Sequence, residues 1–220
     1  MAGSAVKKAT QSTQVKNARN SPEALLDALH FLMVERRSLD VAIADISDRS
    51  GLNTGLVRYY FKSKNGMLLA LLDRIAGLPI RNLNALIDAP MSATEKLKRH
   101  LTGLINLNHR YPYMNELVGY LINRTDEEIA KRVYADSVEP LLIAQRVIIQ
   151  QGIEGGEFRD VDPTLSYFTL TGACNYAFSA SHVHRPGFPT EAVNDETRQR
   201  YIEHVLSFIL AGLKPSPQSV

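Results

Sequence analysis

Apolar residues recur at helical spacing along nearly the whole chain, starting at Ser21. Ser21-Pro22-Glu23 reads as a helix start, with serine as the cap and proline in the first turn, and Leu25, Leu26, Leu29, Leu32 and Met33 then share one side. Residues 41–64, VAIADISDRSGLNTGLVRYYFKSK, hold two short helical patterns broken at Ser50-Gly51-Leu52-Asn53. Ser63 is placed to cap a fourth helix from Lys64 or Asn65, with Met67, Leu68, Leu71, Leu72 and Ile75 facing inward. That linking helix is expected to run over 65–87, kinked or broken at Gly77-Leu78-Pro79. Beyond Ser92 the pattern predicts helices at 92–110, 112–124, 126–153, 163–182 and 195–213, with Pro140 disturbing the third. No stretch alternates as a strand would, so the fold class is all-α.

The break at 50–53 has the chemistry of a helix-turn-helix. Gly51 can take the positive φ that closes the first helix, and Asn53 can cap the free N–H groups of the second. Ile43, Ile46 and Ser47 share a face of the first helix, while Leu56, Val57 and Tyr60 form a stripe on the second. Two helices meeting across so short a turn present the second to a DNA groove. Thr54, Gly55, Arg58 and Tyr59 then fall near its start or on its outward side. Arginine can grip guanine O6 and N7 bidentately, and small residues allow close backbone approach.

These residues resemble the DNA-binding domain of the tetracycline-repressor (TetR) family of bacterial transcriptional regulators. The family pattern T-T-V-R-D-I-A-E-R-A-G-V-S-K-G-T-L-Y-H-H-F-x-S-K lies over Val41–Lys64 without a gap, matching Asp45-Ile46, Arg49, Gly51, Gly55, Phe61 and Ser63-Lys64. Departures are Ala42 for a capping hydroxyl, Thr54 for lysine, Arg58 for tyrosine and Tyr60 for histidine; upstream, Arg37 stands at a usual glycine and His30 at a usual leucine. The resemblance implies a DNA-binding domain over 21–64, a ligand-binding and dimerisation domain over 65–213, and flexible segments at 1–20 and 214–220. It implies a homodimeric regulator, a repressor, that holds a palindromic operator and leaves it when a small organic effector binds. Thr54, Gly55 and Arg58 would read bases, while Asn53, Tyr59, Tyr60, Lys62 and Lys64 would cap the helix or hold phosphates. For Lys64 the alternative is an exposed lysine with no partner.

Charge sharpens this division. Residues 1–64 hold ten Lys/Arg against six Asp/Glu, and the remainder fifteen against seventeen. Lys7, Lys8, Lys16 and Arg19 stand in the first twenty residues without an acid, as in an arm drawn to phosphate or in an unremarkable solvated tail. No run of uncharged apolar residues is long enough to span a bilayer, and no secretory signal pattern precedes Ser21. A single cysteine, Cys174, permits no internal disulfide and fits the cytoplasm.

Catalytic chemistry finds little support. Cys174 has no basic neighbour in sequence and reads as a buried thiol; His182 and His184 are too few for a metal site; no glycine-rich phosphate loop suggests a cofactor. Polar residues inside apolar helices are the candidate effector contacts: Asn108, His109, Tyr113, Asn123, Arg124, Asn175 and Tyr176, with Asn175 foremost because a buried amide needs partners. The resemblance also implies that helices 163–182 and 195–213 form the dimer surface through Leu165, Phe168, Thr169, Gly172, Tyr176 and Ser179 on one and Val205, Phe208, Ile209 and Gly212 on the other. Periodicity alone equally describes helices buried within one domain. Two other functions remain: a helical small-molecule-binding protein or enzyme without DNA-binding activity, and a dimeric interaction protein.

Overall fold

The computed structural model describes residues 22–178 and 194–215. The basic arm, the cap at Ser21, Ser179, His182 and His184 lie outside the described residues. Every regular element among those described is helical, as expected.

The chain divides into two compact units, one ending at Leu71 and the other starting at Leu72. In the first, α1 (Pro22–Arg36), α2 (Ile43–Ser50), α3 (Thr54–Phe61) and the start of α4 (Lys64–Arg81) enclose Leu25, Leu29, Met33, Val41, Ile46, Val57 and Met67, all essentially inaccessible. α1 ends at Arg37, whose φ of 52° is left-handed, while the Ser38 amide closes back onto the Met33 carbonyl at 3.3 Å. That closure normally uses glycine, and here an arginine with a Cβ takes the strained position. Arg36 and Asp45 form an ion pair that ties the end of α1 to α2. The hydrogen bond from Arg36 holds the Asp45 carboxyl below its ordinary range.

In the second unit the expected linking helix is two elements, since α4 stops at Arg81 and α5 runs over Leu83–Asp88. Pro79 has no N–H to return to the preceding turn, and the helix ends shortly after, with the Asn82 amide donating to the carbonyls of Leu78 and Pro79 at 3.2 Å. α6 (Ala93–Arg110) starts from a double cap: Ser92 Oγ accepts from the Glu95 amide, and the Glu157 carboxylate accepts from the amides of Ala93 and Thr94 at 2.8 and 2.9 Å. α7 covers Met114–Asn123. The helix predicted over 126–153 is α8 (Glu127–Val133), a π-helical turn (Tyr134–Val138) and α9 (Glu139–Glu154). Pro140 opens α9 in its first turn, where the missing donor costs nothing, so the disturbance falls on the residues before it. α10 (Pro163–Asn175) tightens into a 3-10 turn at Tyr176–Phe178, and α11 covers Asp195–Leu213. Leu97, Leu101 and Ile105 of α6 meet Ile148, Leu170, Cys174 and Val205 in the core. Cys174 is the buried thiol the sequence suggested, pushed up to about 12 by its surroundings.

Candidate DNA-reading head and ligand cavity

The turn between α2 and α3 is built from local hydrogen bonds. Gly51 takes φ 69° and its amide returns to the Ser47 carbonyl, which also accepts from Leu52 at 3.2 Å; Asn53 Oδ1 then accepts from the Gly55 amide at 2.7 Å. Ala42 gives α2 no side-chain cap. Val57 is fully buried and anchors α3, whereas Thr54, Gly55, Arg58 and Tyr59 are exposed on its other side. The helix is thus held by one face and offers the face expected to read bases.

The corner after α3 is tighter than its sequence suggests. Lys62 takes φ 67°, its Nζ turns back to the Tyr59 carbonyl at 3.4 Å, and Ser63 Oγ accepts from the Gly66 amide at 3.0 Å. A Cβ on Gly66 would stand 2.1 Å from the Phe61 carbonyl oxygen, so only glycine lets α4 start this close to α3. Lys64 lies at the N-terminus of α4, where the helix dipole favours an anion, and its Nζ is 3.6 Å from Asp40 Oδ1. A phosphate there would compete with Asp40. Tyr60 is half-buried and packs edge-on against Tyr59.

The second unit contains a cavity of about 680 Å³. Its apolar wall comes from α4 through Leu72, Ile75, Ala76, Pro79 and Ile80, with Leu83 and Leu86 of α5 and Met114 and Val118 of α7. Polar groups include His100 and Asn108 of α6, two turns apart, and Tyr167, Thr171 and Asn175 of α10, spaced by four, with Asn82, Asn106 and Asn115 also in the lining. The π-helical turn adds Ser137 and Val138; such turns occur often at functional sites. Asn108 is buried and donates to the Leu104 carbonyl at 2.9 Å. His100 is 5% exposed, burial lowers its pKa to about 4, and its Nε2 has no hydrogen-bond partner.

Of the residues singled out as effector contacts, the structure brings Asn108 and Asn175 to this cavity. Tyr113 is buried beside it in sequence but outside its lining, and its phenol is pushed up by burial. His109 packs edge-on against Phe178. Asn123 and Arg124 are exposed at the end of α7, and Tyr176 is exposed on the outer side of α10. His100, Tyr167 and Thr171 were not singled out. The signal that could have found them is spacing: each lies one or two helical turns from an asparagine that was.

Beside the stripe that lines the cavity, α10 exposes Leu165, Phe168, Thr169 and Gly172, followed by Tyr176 in the 3-10 turn, and α11 exposes Phe208 at 74% and Gly212. Val205 and Ile209, expected on the same surface, are instead buried in the subunit's own core with Ile202 and Leu213. Among the described residues no group of three potential metal ligands gathers, and no helix is long and apolar enough to cross a membrane.

Comparison with known proteins follows the same division. Residues 90–219 match the model of the tetracyclin repressor-like C-terminal domain. The HTH-type transcriptional regulator BetI of Klebsiella pneumoniae is 33% identical over 85 residues, covering 37% of this chain and 40% of that protein. BetI of Escherichia coli K12 is 34% identical over 80 residues, covering 36% and 41%. The chain thus spans about 40% of the length of the curated relatives it matches. In three dimensions the chain is similar to the transcriptional regulator FadR of Bacillus subtilis, solved with stearoyl-CoA (TM-score 0.66, 18% identity, 88% of this chain and all of that one). It is also similar to the ketosteroid regulator KstR2 of Mycobacterium tuberculosis (TM-score 0.68, 20% identity, 89% and 95%). At such identities these likenesses establish the fold, and the family follows from the match over the C-terminal domain: the chain belongs to the tetracycline-repressor family.

Proposed function

We propose that the protein is a cytoplasmic, homodimeric transcriptional regulator without catalytic activity that binds a palindromic operator through α2 and α3 and releases it when a small organic molecule occupies the cavity. The observation that carries this reading is α3 itself. It is anchored by Val57, capped by Asn53 and exposes Thr54, Gly55, Arg58 and Tyr59 together. Thr54, Gly55 and Arg58 meet base edges, while Tyr59, Tyr60, Lys62 and Lys64 lie where phosphates pass. The exposed rows of α10 and α11 join two copies in a four-helix arrangement.

Release is routed through α4. This helix starts at the Gly66 corner and ends as cavity wall, so a ligand pressing on Ile75, Ala76 and Pro79 acts on the element that seats α3.

Selection of bound sequences from random DNA, followed by fluorescence anisotropy on the selected duplex, tests the reading. With about four phosphate contacts per half-site, affinity falls by about three to five decades between about 50 and 200 mM salt. Arg58→Ala weakens binding by about 1 to 3 kcal/mol and relaxes preference at one base pair per half-site. A flat salt response or the absence of any selected sequence overturns it.

A further inference from the structure

The chemistry of the cavity wall narrows what it can hold. None of the described residues that line it is Asp or Glu. Its two cationic residues, Arg99 and Arg110, are both exposed: Arg99 is engaged by Glu95 at 3.0 Å, and Arg110 lies over the Tyr111 ring. A buried ammonium group would therefore meet no compensating charge and two like ones, a desolvation loss that an apolar wall cannot offset. An anion fares little better inside, because the deeply buried histidine is neutral and the arginines stand at the exposed ends of the wall.

What the interior does offer is uncharged hydrogen-bonding groups on two helices. α10 turns Tyr167, Thr171 and Asn175 to the cavity, and fully buried Gln145 fixes the middle of that row by donating from Nε2 to Thr171 Oγ1 at 3.3 Å. α6 supplies Asn108 and His100, the latter 95% removed from solvent with an unpartnered ring nitrogen. A buried polar nitrogen without a partner is destabilising, and a ligand oxygen can remove that cost. The remaining surface is mostly aliphatic, with Asn82, Asn106, Asn115 and Ser137 as further uncharged polar groups.

We propose that the cavity selects an uncharged, oxygen-bearing apolar molecule, such as a ketone or alcohol on a hydrocarbon skeleton, whose oxygen is bound by His100. The proposal rests on reading this cavity as the effector site. A neutral imidazole can donate to a carbonyl or accept from a hydroxyl, so both head groups are admitted.

A series with one carbon skeleton and different heads tests it. 2-Dodecanone, 1-dodecanol, dodecanoate and dodecyltrimethylammonium, each below its micellar concentration, are titrated into the full chain by calorimetry. The ketone and alcohol bind, the ammonium at least 100-fold more weakly, and the carboxylate more weakly than either neutral head. His100→Leu lowers ketone affinity at least tenfold, and His100→Gln, which keeps a donor and an acceptor, restores part of it in a chain whose circular dichroism is native. Equal or tighter binding of the ammonium or carboxylate, failure of both neutral heads to bind, or ketone affinity unchanged in His100→Leu overturns the proposal. The same ligands are added separately to the protein–DNA complex. Neutral heads that bind but leave DNA binding unchanged refute the release mechanism and leave the ligand class standing.

Discussion

Burying a neutral histidine has a consequence for stability that can be measured without any ligand. His100 titrates at about 4 in the folded chain against an ordinary 6.5, and burial is the cause. Between those values the unfolded chain binds a proton that the folded chain does not, so stability falls as the pH falls. The full difference of about 2.5 pK units corresponds to about 3 kcal/mol, and at about pH 5 about 2 kcal/mol has been lost. Shifted carboxylates act mostly elsewhere. Asp45, held low by the hydrogen bond from Arg36, loses its contribution as the pH falls through and below the ordinary carboxylate range, whereas Asp73, raised by burial, acts in the opposite sense and above that range. The window between about pH 6.5 and 4.5 thus belongs largely to the histidine. Urea denaturation followed by circular dichroism, across that window, on the wild type and on His100→Gln isolates the effect, since every other group cancels in the difference. The variant should lose about 2 kcal/mol less than the wild type on going from about pH 7 to 5. Parallel curves for the two proteins would refute the assignment of a buried neutral imidazole.

Other perturbations probe the reading head and the exposed face. Gly66→Ala places a methyl group 2.1 Å from the Phe61 carbonyl oxygen, which cannot move without moving α3; a loss of about 2 to 3 kcal/mol in urea denaturation is expected, together with lost operator affinity. Arg37→Gly relieves the left-handed strain at φ 52° and should stabilise the chain by about 0.5 to 1 kcal/mol, read as a raised denaturation midpoint. Phe208→Glu puts a charge on a ring that is 74% exposed, so the folded subunit should keep its helical signal while sedimentation shows monomers in place of dimers; an unchanged dimer would place the interface elsewhere.

What the sequence revealed and what it concealed separate along physical lines. Gly51, Asn53 and Ser63 were legible because caps and helix-closing turns are made by residues within a few positions of each other. Gly66 was not, since its neighbour is a carbonyl presented by the reversal at Lys62, a geometry that local pattern does not carry. The division of the 126–153 helix escaped for a related reason: Pro140 marks a disturbance, but whether it ends one helix or opens another depends on how the preceding turn widens. On α11 periodicity grouped Val205 and Ile209 with Phe208 and Gly212, yet a helix with its own core on one side and a face exposed among the described residues on the other splits such a set.

α10 makes the general point, because one helix there serves three surroundings. Leu170 and Cys174 enter the core, Tyr167, Thr171 and Asn175 line the cavity, and Leu165, Phe168, Gly172 and Tyr176 face outward. At about 100° per residue these are three separate stripes, and the sequence displays all of them without saying what each one meets. Asn175 drew attention because an amide stands out among apolar residues, whereas Tyr167 and Thr171 pass for ordinary members of an amphipathic helix. With the stripes assigned, the helix becomes a physical connection: under the proposed reading, the wall that touches a ligand and the face that meets a second copy are neighbouring stripes of one cylinder about 10 Å across. Occupancy of the cavity can then shift the dimer surface as a rigid body, alongside its action on α4, so substitutions at Thr171 and at Phe168 should be non-additive in their effect on ligand-driven operator release.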